Sequence, residues 1–236
     1  MSAFLGTFGL NTCSLTTQCI TRNLDFYIID REHGTHSLTE CNILLNAIST
    51  PCEKYIRVSD NDRIEIQRVL ELAPDGIMIP QIGSVEEAIR AISYVKYPPE
   101  GLRGTSPFTK AFNFNNKDIS QKKERLNKTK ICLLIEGASG VDSLDDILTE
   151  TDRAIHLIYF GFYDFCASKG MEPYWTVDVK LQFKSLVEKC RDHDVAVGTI
   201  ATNSEEIDTL REIGVNYIVY LNDTGIFSNA ISSLRL

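Results

Sequence analysis

Five short apolar runs in this chain end in residues that could do chemistry. They close as Ile28-Ile29-Asp30-Arg31-Glu32-His33-Gly34, Ile56-Arg57-Val58-Ser59-Asp60-Asn61-Asp62, Ile79-Pro80-Gln81, Leu134-Ile135-Glu136-Gly137 and Tyr159-Phe160-Gly161-Phe162-Tyr163-Asp164. A buried strand has little reason to end in an acid or an arginine unless that group meets something beyond the strand. Glu136 and Asp164 suit a hard divalent cation such as Mg²⁺ or Mn²⁺, which takes one or two carboxylates plus water and substrate oxygens. A 2-keto acid chelates such a cation through its carboxylate and keto oxygens. The cation then stabilises the enolate formed when C3 loses a proton or an aldehyde. Arg57 suits the substrate carboxylate because its planar fork binds two oxygens at once. His33 suits a general base because its imidazole titrates near neutral pH.

Each of these residues also has a plainer reading. An acid after a strand often caps the next helix, and Asp30 could equally be a cap or a partner for Arg31. His33 and His36, three apart in a glycine-containing loop, are weak as a zinc pair. His156 in an apolar run and His193 in a charged turn read as structural or exposed. Cys166 lies near the proposed metal ligand, but nothing in the sequence marks its thiol as activated. Composition and spacing leave the reaction open.

The elements that must position these groups alternate along the chain. Candidate strands are Phe4–Phe8, Phe26–Asp30, Lys54–Val58, Gly76–Pro80, Ile131–Glu136, His156–Gly161, Val195–Ile200 and Tyr217–Tyr220. All are apolar and rich in β-branched or aromatic residues, as strands covered on both faces are. Asp62-x-x-Glu65, Ser84-x-x-Glu87 and Asn203-x-x-Glu206 place a capping side chain three residues before a glutamate, which marks helix starts. Helical spacing follows, as in Val85, Ala88, Ile89 and Ile92, and a similar stripe runs through Phe183, Leu186, Val187 and Cys190. Eight strand–helix units predict a (β/α)8 TIM barrel, taken as one domain over residues 1–236. An open doubly wound sheet would normally show a glycine-rich phosphate loop after an early strand, and the chain has none. The stretch Tyr97–Asn116, with Pro98, Pro99, Gly101, Gly104 and Pro107, predicts a long loop of the kind that is functional or mobile.

The bulk numbers narrow the class. A chain of 236 residues with 43% hydrophobic and 24% charged side chains can bury a full core. Its net charge of −8 argues against nucleic acid as a partner. The lysines and arginines around Lys117–Lys130 read as a solvated helix face. No apolar run approaches the roughly 18 residues of a membrane span, and Met1–Gly6 has neither the basic nor the apolar region of a signal peptide. The seven cysteines show no paired spacing and read as reduced thiols. A cytoplasmic location is expected.

At these same strand ends the sequence resembles the HpcH/HpaI aldolase family, which contains metal-dependent (class II) pyruvate aldolases such as 4-hydroxy-2-oxoheptanedioate aldolase. The likeness runs from Gly6-Thr7-Phe8 to the last helix. It rests on Ile29-Asp30-Arg31-Glu32-His33-Gly34, Arg57-Val58, Pro80-Gln81, Tyr97-Pro98-Pro99-Glu100-Gly101-Leu102-Arg103-Gly104, Ile135-Glu136 and Gly161-x-x-Asp164. The resemblance implies that Glu136 and Asp164 hold a divalent metal (Mg²⁺, Mn²⁺ or Co²⁺) and that Arg57 binds the pyruvate carboxylate. It also implies that His33 moves a proton with support from Glu71, a glutamate where the family usually has aspartate. The expected site is therefore His33, Glu71 and Asp30 as catalytic residues, Arg57, Gln81, Gly161 and Tyr163 around the substrate, and Glu136 and Asp164 on the metal. A homo-oligomer, hexamer or trimer, is implied as well. Departures are Gly137 for threonine, Phe162-Tyr163 for a small Pro-Ala pair, Phe165-Cys166 for Leu-Ser, and Leu134 where some members carry glutamine. Two aromatic rings beside a metal ligand should narrow or reshape the pocket. The expected function is an aldolase that cleaves or forms a 4-hydroxy-2-keto acid through a pyruvate enolate. The alternatives are a phosphoenolpyruvate or keto-acid lyase of the same superfamily, and a barrel that has lost turnover and binds a keto acid or a partner.

Overall fold

Eight parallel strands pair in chain order and close, last on first, into a barrel in a computed structural model that describes residues 3–151 and 153–235. Met1 and Ser2, which open the segment read above for a leader, lie outside the described residues. The strands are β1 (Phe4–Gly9), β2 (Phe26–Asp30), β3 (Glu53–Arg57), β4 (Gly76–Ile79), β5 (Lys130–Ile135), β6 (Leu157–Phe160), β7 (Ala196–Ala201) and β8 (Tyr217–Asn222). The helices around them are α1 (Ser14–Thr21), α2 (Leu38–Ala47), α3 (Arg63–Leu70), α4 (Val85–Val95), α5 (Ile119–Leu126), α6 (Ala138–Asp142), α7 (Leu144–Glu150), α8 (Phe162–Ser168), α9 (Val177–Asp192), α10 (Ser204–Ile213) and α11 (Asp223–Ser232). The fold is the (β/α)8 barrel that the alternation of elements predicts, and the strand ends match the expected ones to within two residues.

Side-chain alternation sorts each strand between two cores. Phe8, Phe26, Ile28, Tyr55, Met78, Cys132, Leu134, Leu157, Tyr159, Tyr217 and Val219 fill the barrel interior. The intervening residues, Tyr27, Ile29, Ile56, Ile77, Ile131, Leu133, Ile158 and Val197 among them, pack outward under the helices. This period of two decides what the mouth contains. Asp30 follows Phe26 and Ile28 on the inward set, Arg57 follows Tyr55, Glu136 follows Cys132 and Leu134, and Gly161 follows Leu157 and Tyr159. Each is one step beyond the last apolar layer, so the same pattern that fills the barrel delivers these groups to its C-terminal opening.

The helix starts are capped where the sequence indicates. Asp62 accepts from the backbone N–H groups of Ile64 and Glu65, Ser84 from Glu87, and Asn203 from Glu206. The reciprocal glutamate contact falls one residue earlier in two cases: Glu87 accepts from Gly83 N–H at 2.8 Å and Glu206 from Thr202 N–H at 2.6 Å. Glu65 turns away altogether to pair with Arg31. Among the described residues the cap with both halves in place is Ser37 with Glu40, at the start of α2.

The long loop after α4 lies at the other end of the barrel. α4 leaves the mouth and ends at Val95, and the loop leads through the 3-10 turn Lys110–Phe112 and α5 to the N-terminal end of β5. Its interior is packed: Tyr97, Arg103, Ala111 and Phe112 are buried. The Lys110 ammonium donates to Asn42 and Asn46 of α2, and that of Lys122 donates back to the Phe112 carbonyl.

Candidate active site

Asp30 and Arg57 are direct register partners on β2 and β3. Arg57 donates from Nε to Asp30 Oδ1 at 2.9 Å and from Nη2 to Oδ2 at 2.6 Å. Its Nη1 lies 2.8 Å from Glu32 Oε2, and its guanidinium carbon sits over the Phe8 ring, 4.4 Å from the centroid. Burial alone would lower the guanidinium's pKa, but the hydrogen bonds and charge of Asp30, with Glu32 behind them, hold it above its ordinary value. Asp30 Oδ1 also accepts from the backbone N–H of Glu32 and of His33. One carboxylate therefore orients Arg57 and shapes the turn that carries His33. The exposed His33 side chain sits at the cavity.

Across the mouth, Glu136 extends from β5 and Gly161 from β6, where Gly161 N–H donates to Ile135 O at 2.9 Å. A β-carbon on Gly161 would stand 2.9 Å from Glu136 Cγ, so the bare backbone is what lets the carboxylate lie there. Asp164 occupies the first turn of α8, two residues after Phe162. Glu136 Oε2 accepts from Gln81 N–H at 3.2 Å. Burial first, then the nearby Glu32 and Asp164, hold the Glu136 carboxyl above the usual carboxylate range.

Two carboxylates on one cavity wall, with the charge of Asp164 disfavouring ionisation of Glu136, suit a divalent cation completed by water and substrate oxygens. Among the described residues no group of three His, Cys, Asp or Glu side chains converges to make a metal cage. His36 is buried with Nδ1 2.8 Å from Asp30 O and Nε2 2.9 Å from Asn11 O. Both its nitrogens are engaged by the fold, so it forms no metal pair with His33. Burial pushes the Cys166 thiol up, which removes any sign of an activated nucleophile.

These groups share a cavity of about 200 Å³ whose wall includes Asp30, His33, Arg57, Glu136, Gly161, Tyr163 and Asp164. Two of the residues named from sequence are elsewhere. Gln81 has an exposed side chain outside the lining, a left-handed backbone with φ 60°, and only its N–H turned to the site. Glu71 caps the C-terminus of α3 beside Leu72 and Ala73, which lead into β4, and its carboxylate lies 3.7 Å from Arg103 Nη2. α3 carries the chain about 12 Å away from the mouth at 1.5 Å per residue, so within one chain Glu71 does not meet His33.

The cavity also has lining residues that the expected site did not include. Phe8, Leu10, Tyr159, Ile200, Leu221 and Asn222 complete the wall, along with Leu134 and Phe162. Inward parity on β1, β6 and β7 was the signal for Phe8, Tyr159 and Ile200. Leu10 and Leu221 share that parity, two residues beyond Phe8 and Val219, but lie past the ends of the expected strands. Phe162 is buried and stacks on Trp175 with centroids 4.2 Å apart, while Tyr163 stands half open at the rim. Both aromatic departures border the cavity.

The chain matches the HpcH/HpaI aldolase/citrate lyase family over residues 8–230. It is 28% identical over 212 residues to a 5-keto-4-deoxy-D-glucarate aldolase of Enterobacter sp. (strain 638), covering 89% of this chain and 82% of that one. It is 24% identical over 240 residues to a 2-dehydro-3,6-dideoxy-6-sulfogluconate aldolase of Pseudomonas putida, covering 99% and 91%. Among solved structures, an HpcH/HpaI aldolase/citrate lyase family protein of Burkholderia cenocepacia J2315 superposes with a TM-score of 0.89 at 22% identity, covering 100% of this chain and 95% of that one.

Proposed function

Because this chain belongs to the HpcH/HpaI aldolase/citrate lyase family and is a carbon–carbon lyase, we propose that it is a divalent-metal-dependent (class II) aldolase. Its reaction cleaves or forms a 4-hydroxy-2-keto acid, with pyruvate as the common piece. The observation that carries this reading is the convergence of Glu136, Asp164, Arg57 and His33 on one cavity at the barrel mouth.

Glu136 and Asp164 would hold Mg²⁺, Mn²⁺ or Co²⁺, which when bound stabilises negative charge developing on the keto-acid oxygens. Arg57 supplies the positive charge for the substrate carboxylate: its Nε/Nη2 edge is engaged by Asp30 and its Nη1 lies against Glu32, so the incoming carboxylate would take the place of Glu32 at Nη1. Asp30 is thus a positioning residue, which fixes both Arg57 and the backbone before His33. In cleavage His33 takes the proton of the C4 hydroxyl through a water as the C3–C4 bond breaks. The electron pair of that bond passes into the pyruvate enolate, and C4 leaves as the aldehyde carbon. In condensation the same proton returns to the new hydroxyl oxygen.

The expected homo-oligomer bears on Glu71. Within one chain Glu71 pairs with Arg103, so support of His33 by Glu71 would need a second copy. Mixing His33→Ala with Glu71→Ala protein checks this: turnover regained in the mixture supports shared sites, and two inactive proteins that stay inactive together overturn them.

The test of the function itself needs no choice of aldehyde. Exchange of the pyruvate methyl protons with D2O, followed by NMR, should require Mg²⁺, Mn²⁺ or Co²⁺ and should vanish in Glu136→Ala while the fold persists. Folded protein that shows no exchange with any of these cations would sink the proposal.

A further inference from the structure

The mouth of the barrel is divided by strand order. The polar arc runs from β2 to β6 and carries Asp30, Arg57, Glu136, Gly161 and, just beyond, Asp164. The remaining arc, β7, β8 and β1, presents Ile200, Leu221 and Leu10 to the same cavity. All three are only partly buried. On this arc the polar lining residue is Asn222, whose side-chain Oδ1 accepts from Gly225 N–H at 2.7 Å as the cap of α11 and from the Thr224 hydroxyl, leaving its neutral Nδ2 as a donor. The neighbouring Asp223 is likewise committed to the N–H groups of Leu10 and Asn11 and to the Tyr27 hydroxyl.

The charges in the cavity point the same way. Its described lining has three carboxylates, Asp30, Glu136 and Asp164, one guanidinium, Arg57, and the imidazole of His33. Glu32 stands just behind, at 2.8 Å from Arg57. A divalent cation offsets two of the acids and Arg57 a third, so the carboxylate of the keto acid brings the site to an excess of negative charge. A second anionic group on the far side of the substrate would find no cation on the β7–β8–β1 arc, only the neutral Asn222 amide, and would be desolvated largely against leucine and isoleucine, at a cost. The cavity of about 200 Å³ is also below the ~300–1,000 Å³ of pockets that take drug-sized ligands.

Resting on the aldolase reading above, we infer that the aldehyde partner is short, uncharged and alkyl-tailed, with its tail seated on Leu10, Ile200 and Leu221. The bond made or broken is still C3–C4 of the keto acid. The three apolar side chains select what is attached to C4.

The experiment pairs two readouts on metal-loaded protein. Pyruvate methyl exchange in D2O is run first, and condensation of pyruvate is then compared for propionaldehyde, butyraldehyde, glyoxylate and succinic semialdehyde. The expected result is exchange, with kcat/KM for the neutral aldehydes roughly tenfold or more above that for the two acids. Exchange with equal or better use of the acids overturns this inference and leaves the aldolase reading standing, whereas no exchange overturns both. Ile200→Lys should shift preference toward succinic semialdehyde by about tenfold or more, and an unchanged ratio in the folded variant overturns the assignment of this arc. Leu10→Lys, from the adjoining end of β1, supplies the same reading if Ile200→Lys fails to fold.

Discussion

Asp30 and Arg57 face one another across the β2–β3 pairing and close two hydrogen bonds, of 2.9 and 2.6 Å, in an almost solvent-free layer. Removing one partner leaves the other buried and unpaired, and that penalty exceeds what the pair contributes while intact. Asp30→Ala should therefore lose about 3 kcal/mol of unfolding free energy, read from urea denaturation. A loss below about 1 kcal/mol would mean that Glu32 alone satisfies Arg57.

Gly161→Ala tests the close approach on the other side of the mouth. The new methyl would stand 2.9 Å from Glu136 Cγ, and the carboxylate must swing aside. Mn²⁺ affinity, measured by titration calorimetry, should fall by roughly tenfold or more, as it does when the support of a metal ligand is disturbed. The fold should be retained, because the backbone at Gly161 has no positive φ.

Glu136→Gln should stabilise the metal-free protein while abolishing metal-dependent exchange. Burial and the charges of Glu32 and Asp164 hold the Glu136 carboxyl above the usual range, so its ionised form costs folded-state stability once the pH exceeds the raised pKa. Below the ordinary carboxylate pKa that cost is absent, and variant and parent should converge. The gain at neutral pH should be roughly 1 kcal/mol or less after solvent screening, seen as a higher thermal midpoint in EDTA.

His156 should add an acid-side loss of stability. Burial, followed by the charge of Lys130 and opposed by Glu53, lowers its pKa from the ordinary value. Its Nε2 lies 3.0 Å from the Tyr217 hydroxyl. A depressed histidine contributes stability above its ordinary pKa of about 6.5 and loses it as the pH falls through the folded value. Thermal midpoints between pH 7.5 and 5.0 should thus decline less in His156→Gln than in the parent, by about 1 kcal/mol or less.

Much of this site is legible without coordinates because a barrel strand has a period of two. Once Ile28, Tyr55, Leu134 and Tyr159 are read as inward, Asp30, Arg57, Glu136 and Gly161 follow at the open end. Glu71 shows where such reading stops. A motif match places it near the site in sequence, while the rise of α3 takes it to Arg103 at the opposite end. Gln81 fails for a local reason: its left-handed backbone turns the N–H, rather than the amide, toward Glu136. The apolar wall of Leu10, Ile200 and Leu221 has the inward parity of its strands, yet apolar side chains look like ordinary core in a sequence, and it is the closed strand order that brings these three to the mouth.

The division of the mouth between two arcs has an evolutionary consequence. On the proposed reading, bond-making residues and partner-selecting residues sit on different strands, so drift on β7, β8 and β1 would retune selectivity without passing through inactive intermediates. A combinatorial library confined to positions 10, 200 and 221 would therefore be rich in active enzymes with altered aldehyde preference, and the lineage itself would have had the same freedom.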